Sequence, residues 1–483
     1  MRPNTAHRLG DHIGLPGFSS YALLSVLGMI IVILCGAMAN ADEAPQSPPA
    51  LPQFTLNEND RILVLAPHPD DESLTCAGVI QSALAMKLPV RVVWLTMGDN
   101  NEWSFILYRK RLVIKAAAER AMGEVRHDEA VAAMKALGLG PENLAFLGYP
   151  DFGTLTIWDR HWGDGPPFKS MLTKVTSVPY TNAFRYGAPY KGQDILRDIT
   201  TNLREFRPTK VFCSHPSDLN VDHQALYLFT RVALWDLANE MRPSLYPYLV
   251  HAAKWPRPVG LHPELSLLPP AQLASGINWA IHPLTNGQAQ AKEAALRAHR
   301  SQMDYSKDFM LSFARENELF GDFPPTVWSA EPTFAQASGH FKRAPSLQGE
   351  LTENERAKFV GIEDVRMARE GDDLVVAAHF SRPLGKEVSA AVYAFGYRSG
   401  RPFELMPKLR IVSGDVKHEV FDQERRLPSD TVRFERRAHQ QTVRIPLKAM
   451  GSPQRALIAV HTYLGLDPLD WAEWRVLEIA PPR

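Results

Sequence analysis

Four short apolar runs constrain this chain more than anything else in it: Arg61–Ala66 (RILVLA), Val90–Thr96 (VRVVWLT), Asn143–Gly148 (NLAFLG) and Lys210–Ser214 (KVFCS). Each is too short for a helix of its own, and each ends in a polar or glycine-rich turn. Runs of this kind are strands buried on both faces, the habit of parallel sheets covered by helices. Helical stretches separate them. One follows the first run and continues to about Lys87. A second, Gly123–Leu139, carries Val131, Met134 and Leu137 on one face. A third, Asp194–Phe206, is amphipathic and is ended by Pro208, and a fourth spans Asp222–Asn239. Strand and helix alternate, so residues 58–322 are predicted to be an α/β domain: a Rossmann-like, mostly parallel sheet flanked by helices.

Two stretches break the alternation. Residues 154–193 are too long for a simple strand-to-helix connection and are rich in Trp, Tyr, Phe, Gly and Pro. Loops of that length are functional or disordered, and the aromatic content argues for order. From about Phe323 the pattern changes to short strands (LVVAAHF, AAVYAFGY, KLRIVSG, QTVRIPL, RALIAVHTYL) divided by Gly, Pro and Asp turns. Residues 323–483 are therefore predicted to form a C-terminal β-sandwich-like domain.

The N-terminal stretch has a different character. Tyr21–Ala39 carries no charge, follows Arg2 and Arg8, and leads into Ala39-Asn40-Ala41, the small-x-small pattern of a cleavage site. Residues 1–41 read as a signal peptide. The competing reading is an uncleaved anchor, for which the run is nearly long enough. Both export the remainder to a periplasmic or secreted location, with membrane contact only if the segment is retained. Residues 42–57 are expected to be a Pro-rich, semi-extended linker. Cleavage would leave Cys76 and Cys213, which either pair in an oxidising compartment or stay as two buried thiols on separate elements.

Composition narrows the chemistry. Fifty-three basic residues balance 53 acidic ones, which argues against nucleic acid as the main partner. Three cysteines cannot build a disulfide scaffold or a Cys-rich metal site. Metal chemistry would have to be written in His and acid residues, and two clusters supply them. Pro67-His68-Pro69-Asp70-Asp71-Glu72 follows the first strand and opens a helix. Helix-start chemistry explains Pro and acids there, but not His68 or three acids in succession. His215-Pro-Ser-Asp-Leu-Asn220-Val-Asp222-His223 follows the fourth strand and opens another helix. Two such turns at one sheet edge can give two imidazoles and a carboxylate to one cleft, a known catalytic zinc arrangement.

PHPDDE followed far downstream by HPSDLNVDH resembles the PIG-L/LmbE-like family of zinc-dependent N-acetylglucosaminyl deacetylases. Four further fragments are similar: Arg126 and Glu129 in GEVRHDE, Asp151 in FLGYPD, KEAALRAHRSQ (292–302) and FARENELF (313–320). The resemblance spans residues 58–320. It implies Zn2+, or another divalent metal, held by His68, Asp71 and His223. It implies Asp70 as general base toward water, Glu72 and Asp222 as supports, and Arg126 and Asp151 on sugar hydroxyls. The implied substrate is an N-acetylglucosamine-type sugar in a glycan or glycoconjugate, cleaved to acetate and a free amine. The alternatives are a zinc amidase on a non-sugar amide and a non-catalytic carbohydrate-binding protein.

One position departs from the family pattern. Many members carry a histidine three residues before the last ligand, where this chain has Asn220. An amide can donate to an oxyanion but cannot deliver a proton. His215 and His299 are the candidates for a missing acid. The aromatics of the long insert (Trp158, Trp162, Phe168, Tyr180, Phe184, Tyr186, Tyr190) either form a wall for sugar faces or pack as a small core under the loop.

Overall fold

The structure, a computed structural model, describes residues 51–99, 116–324, 326–327, 335–336, 353–414, 417–465 and 467–479. The signal-like segment and residues 42–50 of the linker lie outside these.

The first apolar run is β1 (Ile62–Ala66), followed by two short helices, α1 (Asp71–Thr75) and α2 (Ala77–Ala85). Then come β2 (Val90–Thr96), α3 (Ala116–Ala136), β3 (Leu144–Tyr149), α4 (Thr154–Arg160), α5 (Gly192–Phe206), β4 (Lys210–Ser214), α6 (Val221–Asp236) and β5 (Ser244–Tyr248). The half closes with β6 (Asn278–Pro283), α7 (Asn286–Ala298), α8 (Arg300–Leu311) and β7 (Asn317–Asp322). The sheet order is β3-β2-β1-β4-β5-β7-β6. The first five strands run parallel, and β7 is antiparallel to both β5 and β6. Every residue of β1 and of β4 is buried, as expected for strands covered on both faces. The chain leaves β1 in one direction toward β2 and returns on its other side as β4. That reversal opens a crevice beyond the carboxyl ends of β1 and β4, where ligands of such sheets bind. Both His/Asp clusters lie there.

The C-terminal half adds β8 (Thr326–Val327), β9 (Ala335–Gln336), β10 (Ile362–Glu370), β11 (Asp373–Phe380), β12 (Val388–Tyr397), β13 (Lys408–Ser413), β14 (His418–Asp422), β15 (Arg425–Leu427), β16 (Arg433–Arg437), β17 (Gln440–Pro446), β18 (Arg455–Leu464) and β19 (Asp467–Glu478). They form a five-stranded sheet, β16-β17-β11-β10-β9, and a seven-stranded one, β15-β14-β13-β12-β18-β19-β8. Alternate residues of β12 face opposite ways. Ala390, Val392 and Ala394 join the core between the two sheets, whereas Ala391, Tyr393, Phe395 and Tyr397 join the core of the α/β half. The seven-stranded sheet is thus packed on both faces.

Two open alternatives are decided and one expectation is corrected. The aromatic insert is not an open wall at its tryptophans. Trp158 and Trp162 are buried. Trp158 stacks on Phe395 and Phe403, at 5.8 and 5.4 Å, and meets Trp474 edge-on. Large aromatic surface is worth most when removed from water, so these rings join the two halves instead of facing solvent. Tyr180 and Tyr190 are buried too, while Phe184 and Tyr186 remain exposed. The end of the linker is not free chain. Phe54 N–H donates to Ile281 O (3.2 Å) and Ile281 N–H to Pro52 O (2.9 Å), and the Phe54 ring packs on Phe212, Tyr246, His282 and Phe320. Composition flagged the prolines and passed over this one aromatic anchor. Finally, Cys76 and Cys213 are both free and buried; burial raises the pKa of each thiol, which leaves them inert.

Candidate metal centre

The turn after β1 is built under strain. Asp70 precedes α1 at φ 144°, ψ −30°, a region that costs a non-glycine residue about 1–3 kcal/mol. Its surroundings hold it there. Asp70 N–H donates to Glu72 Oε2 (3.0 Å), and its carbonyl accepts from Ser73 and Leu74 N–H (3.0 and 2.9 Å). Arg126 of α3 donates to Asp70 Oδ2 (3.2 Å), to Pro69 O (2.9 Å) and to Gly98 O (3.0 Å). Glu72 is fully buried and also accepts from Trp94 Nε1 (2.8 Å) and Ser73 Oγ (2.9 Å). The outcome is a fixed direction for three consecutive acid side chains.

The turn after β4 is relaxed. Asn220 caps α6, its Oδ1 accepting from Asp222 N–H (2.8 Å) in the ordinary manner of an Asn cap. This places Asp222 and His223 in the first helical turn, both fully buried. Asp222 accepts from Phe152 N–H (2.5 Å), from Thr154 N–H (3.1 Å) and from the Thr154 hydroxyl. It therefore ties the loop after β3 to α6. Asp218 accepts from Asn220 N–H (2.9 Å), and from Val250 and His251 N–H (each 2.9 Å).

The two turns converge on one point. His68 Nδ1 and His223 Nε2 lie 3.3 and 3.2 Å from Asp71 Oδ2. One ligand atom from each of His68, Asp71 and His223 lies within 4.8 Å of the others. Bonds of about 2.0–2.2 Å around a tetrahedral ion separate neighbouring ligand atoms by about 3.4 Å, so the spacing suits a divalent cation. Each imidazole is held from its far nitrogen. His68 Nε2 lies 3.0 Å from Asp151 and 3.2 Å from Asp222, and His223 Nδ1 lies 3.1 Å from Asp218. A carboxylate behind a ligating histidine sets its tautomer and raises its basicity. His223 Nε2 is buried beside Asp71 without an aligned hydrogen bond to it, an arrangement that a cation held between the two would satisfy.

Electrostatics agree with this fit. Burial works against charge on His68, yet Asp151, Asp222 and Asp71 raise it well above the usual imidazole value. His223 is likewise opposed by burial but raised to about 9 by Asp218 and Asp71. Burial pushes Asp71 up, and His223 and His68 overcome it and hold the carboxyl low. A pocket that favours two imidazolium charges will hold a dication in their place. Asp70 differs from Asp71. Burial raises it to about 6, with Arg126 pulling down and Asp71 pushing up.

Several sequence assignments find other surroundings. Arg126 and Asp151 are buried against the site's own groups, Arg126 on Asp70 and Asp151 on His68, so both brace the centre. Asn220 gives its oxygen to the helix cap, which leaves only its NH2 as a donor. His215 is packed among aromatic rings and held neutral by burial. It stacks on Trp279 and meets Phe323 at a tilt, its Nδ1 accepts from Ser217 N–H (3.0 Å), and burial lowers its pKa to about 3. His299 lies 3.2 Å from Glu72 and 3.0 Å from Ser73 Oγ, fully buried, and holds Glu72 in place. Residues not singled out from sequence also contribute: Asp218; His251, which bonds Asp218 through Nδ1 (2.9 Å); and Asp99, beyond β2, which accepts from Tyr180 (2.6 Å) and is raised to about 7, chiefly by burial. Position at the carboxyl end of a strand was the one available signal for Asp99.

A family model described as GlcNAc-PI de-N-acetylase (PIG-L) matches residues 63–234, a span that contains His68, Asp70, Asp71, Asp151 and His223. Residues 63–234 are a PIG-L domain. The PIG-L domain thus runs from β1 to the last turns of α6 and includes both turns of the metal centre. A 94-residue stretch is 36% identical to 1D-myo-inositol 2-acetamido-2-deoxy-alpha-D-glucopyranoside deacetylase of Mycolicibacterium smegmatis. The match covers 19% of this chain and 31% of that relative, so the chain spans about a third of its length. Among solved structures, the N,N'-diacetylchitobiose deacetylase of Pyrococcus horikoshii is 18% identical, with 50% of this chain and 70% of that one covered at a TM-score of 0.31. The 4-carboxy-2-hydroxymuconate hydratase of Pseudomonas putida is 16% identical, with 56% and 99% covered at a TM-score of 0.35.

Proposed function

We propose that this protein is an exported, divalent-metal-dependent N-deacetylase that removes the acetyl group from an N-acetylglucosamine-type sugar. The observation that carries the reading is the convergence of His68, Asp71 and His223 beside Asp70 within the PIG-L domain. Zinc suits the two-histidine, one-carboxylate set. Such an ion, when bound, supplies Lewis acidity to the acetamide carbonyl and to water.

The chain's own residues do the rest. Asp70 takes a proton from the attacking water, and a carboxyl poised at about 6 is suited to accept and return it near neutral pH. Arg126 sets the direction of the Asp70 carboxylate and keeps it ionisable while buried. Asp151, Asp222 and Asp218 aim the two imidazoles. Asn220 serves α6 as its cap, its oxygen taken by Asp222 N–H. The described residues around the centre offer no free histidine in the place of Asn220, so Asp70 also returns the proton to the departing amine. The products are acetate and the free amino sugar.

The test is acetate release from N-acetylated sugars and from non-sugar acetamides by metal-loaded protein, alongside its metal content. Stoichiometric metal with release from sugars alone supports the reading. Release from non-sugar amides only, or bound metal with no release at all, overturns it.

A further inference from the structure

Two carboxylates hold the far nitrogen of His68, and both depend on the loop 151–154. Asp151 belongs to that loop and lies 3.0 Å from His68 Nε2. Asp222 lies 3.2 Å from the same atom and accepts from Phe152 N–H, Thr154 N–H and the Thr154 hydroxyl. Local structure is a poor support for this loop. Phe152 is left-handed at φ 55°, a conformation that a non-glycine residue keeps only when its surroundings impose it. Helix α4, which follows, has seven residues, and its cap position, Gly153, makes no side-chain cap bond. A helix so short is not stable by itself, so packing from elsewhere must set its position.

That packing comes largely from the C-terminal half. Trp158 lies four residues on from Thr154, a neighbour on the same helix face, and is fully buried. Phe229 of α6 meets its ring edge-on at 5.0 Å. The remaining sides are taken by Phe395 of β12, Phe403 and Trp474 of β19, at 5.8, 5.4 and 6.3 Å. Trp162 closes the group: its indole N–H donates to Trp158 O (2.5 Å), and its ring meets Trp158 edge-on at 5.6 Å. Trp162 is held in turn by Lys408 of β13, whose Nζ lies 4.5 Å from the ring centre and donates to Phe403 O and Met406 O (2.6 and 3.0 Å). Phe395, Phe403, Lys408 and Trp474 all lie outside the matched span 63–234. A continuous set of contacts therefore runs from the β half through Trp158 and Thr154 to Asp222 and His68.

We infer that Trp158 is a positioning residue for the metal centre, and that through it the C-terminal β half sets the affinity for the metal. The inference rests on the metal-dependent reading above. Without the aromatic stack α4 loses its seat, Thr154 leaves Asp222, and the far nitrogen of His68 loses its fixed acceptor. The test measures Zn2+ affinity of the full chain by competition with a chelator, below the melting transition of every variant. Trp158→Ala should weaken Zn2+ binding about tenfold, the size of effect seen when a partner behind a metal ligand is lost. Trp158→Phe should restore most of it. Phe403→Ala trims the same stack from the β half and should give a smaller loss in the same direction; it carries the test if Trp158→Ala does not fold. In an Asp222→Asn background Trp158→Ala should cost markedly less, because both changes act on one nitrogen. Folded variants with a lowered melting temperature and wild-type Zn2+ affinity overturn the inference, since a merely structural role predicts that result. So does a loss that multiplies in full in the Asp222→Asn background. Wild-type protein that binds no Zn2+ overturns the metal-dependent reading itself, whereas binding that the variants leave unaltered overturns this inference alone.

Discussion

After β1 the chain enters its helix through Asp70 at φ 144°, ψ −30°; after β4 it enters through Asn220 at φ −80°, ψ 131°. The second geometry is an ordinary cap that most helices tolerate. The first is strained and is maintained by Glu72, Arg126 and two backbone hydrogen bonds. The difference follows the work each turn does. In the first turn the cap position itself bears the proposed base, adjacent to a ligand, so two neighbouring acids must point different ways. In the second the cap position serves the helix, and the ligand His223 sits three residues on, aimed by Asp218. Strain is concentrated where orientation matters at one residue, and is absent where a helix can deliver the geometry.

Substitutions can break this contrast, starting with the residues the two turns share. His223→Ala and Asp71→Ala each remove a ligand, one per turn, and both should abolish bound metal and turnover together; metal analysis beside acetate release checks this. Asp70→Asn comes next. It should lower kcat by about 10²–10⁴ while metal content stays at the wild-type level, which separates the strained residue from its ligand neighbour. Asp218→Asn should weaken metal affinity by about 10–100-fold, measured by competition with a chelator, because it releases the far nitrogen of His223. The smallest effect is expected at Asn220. Asn220→Ala should cost about 1 kcal/mol of stability in a denaturant titration, and Asn220→Ser should restore most of it. Turnover lost with Asn220→Ala and not restored by Ser would add an oxyanion role to the cap.

The readability of the site tracks local against non-local causes. Asp70, Asp71 and His68 are contiguous, so their turn could be read directly, and the helix that starts at Asp222 was foreseeable from the same motif. Arg126 was readable as part of the centre but not as a brace for Asp70. That contact joins α3 to the first turn across 56 positions, and spacing carries no information over such a distance. His215 and Asn220 sit in a loop where any polar residue can face the centre or turn away; packing of Trp279 and Phe323 on His215 decided the first, and the cap decided the second. The insert was ambiguous for a related reason. Aromatic rings serve a ligand or a core equally well until their neighbours are known, and Phe395, Phe403 and Trp474 lie more than two hundred residues downstream of Trp158.

The sequence by itself determined the alternation of buried strands and helices, the two His/Asp turns and the change to short β-strands after residue 322, because each of these rests on periodicity and neighbouring residues. Only the tertiary structure decided which nitrogen of each histidine faces Asp71, which carboxylates stand behind them, and that the C-terminal sheet shares a hydrophobic core with the α/β half. Those depend on the strand order that places β1 beside β4, and on side chains brought together by packing, which a linear pattern does not encode.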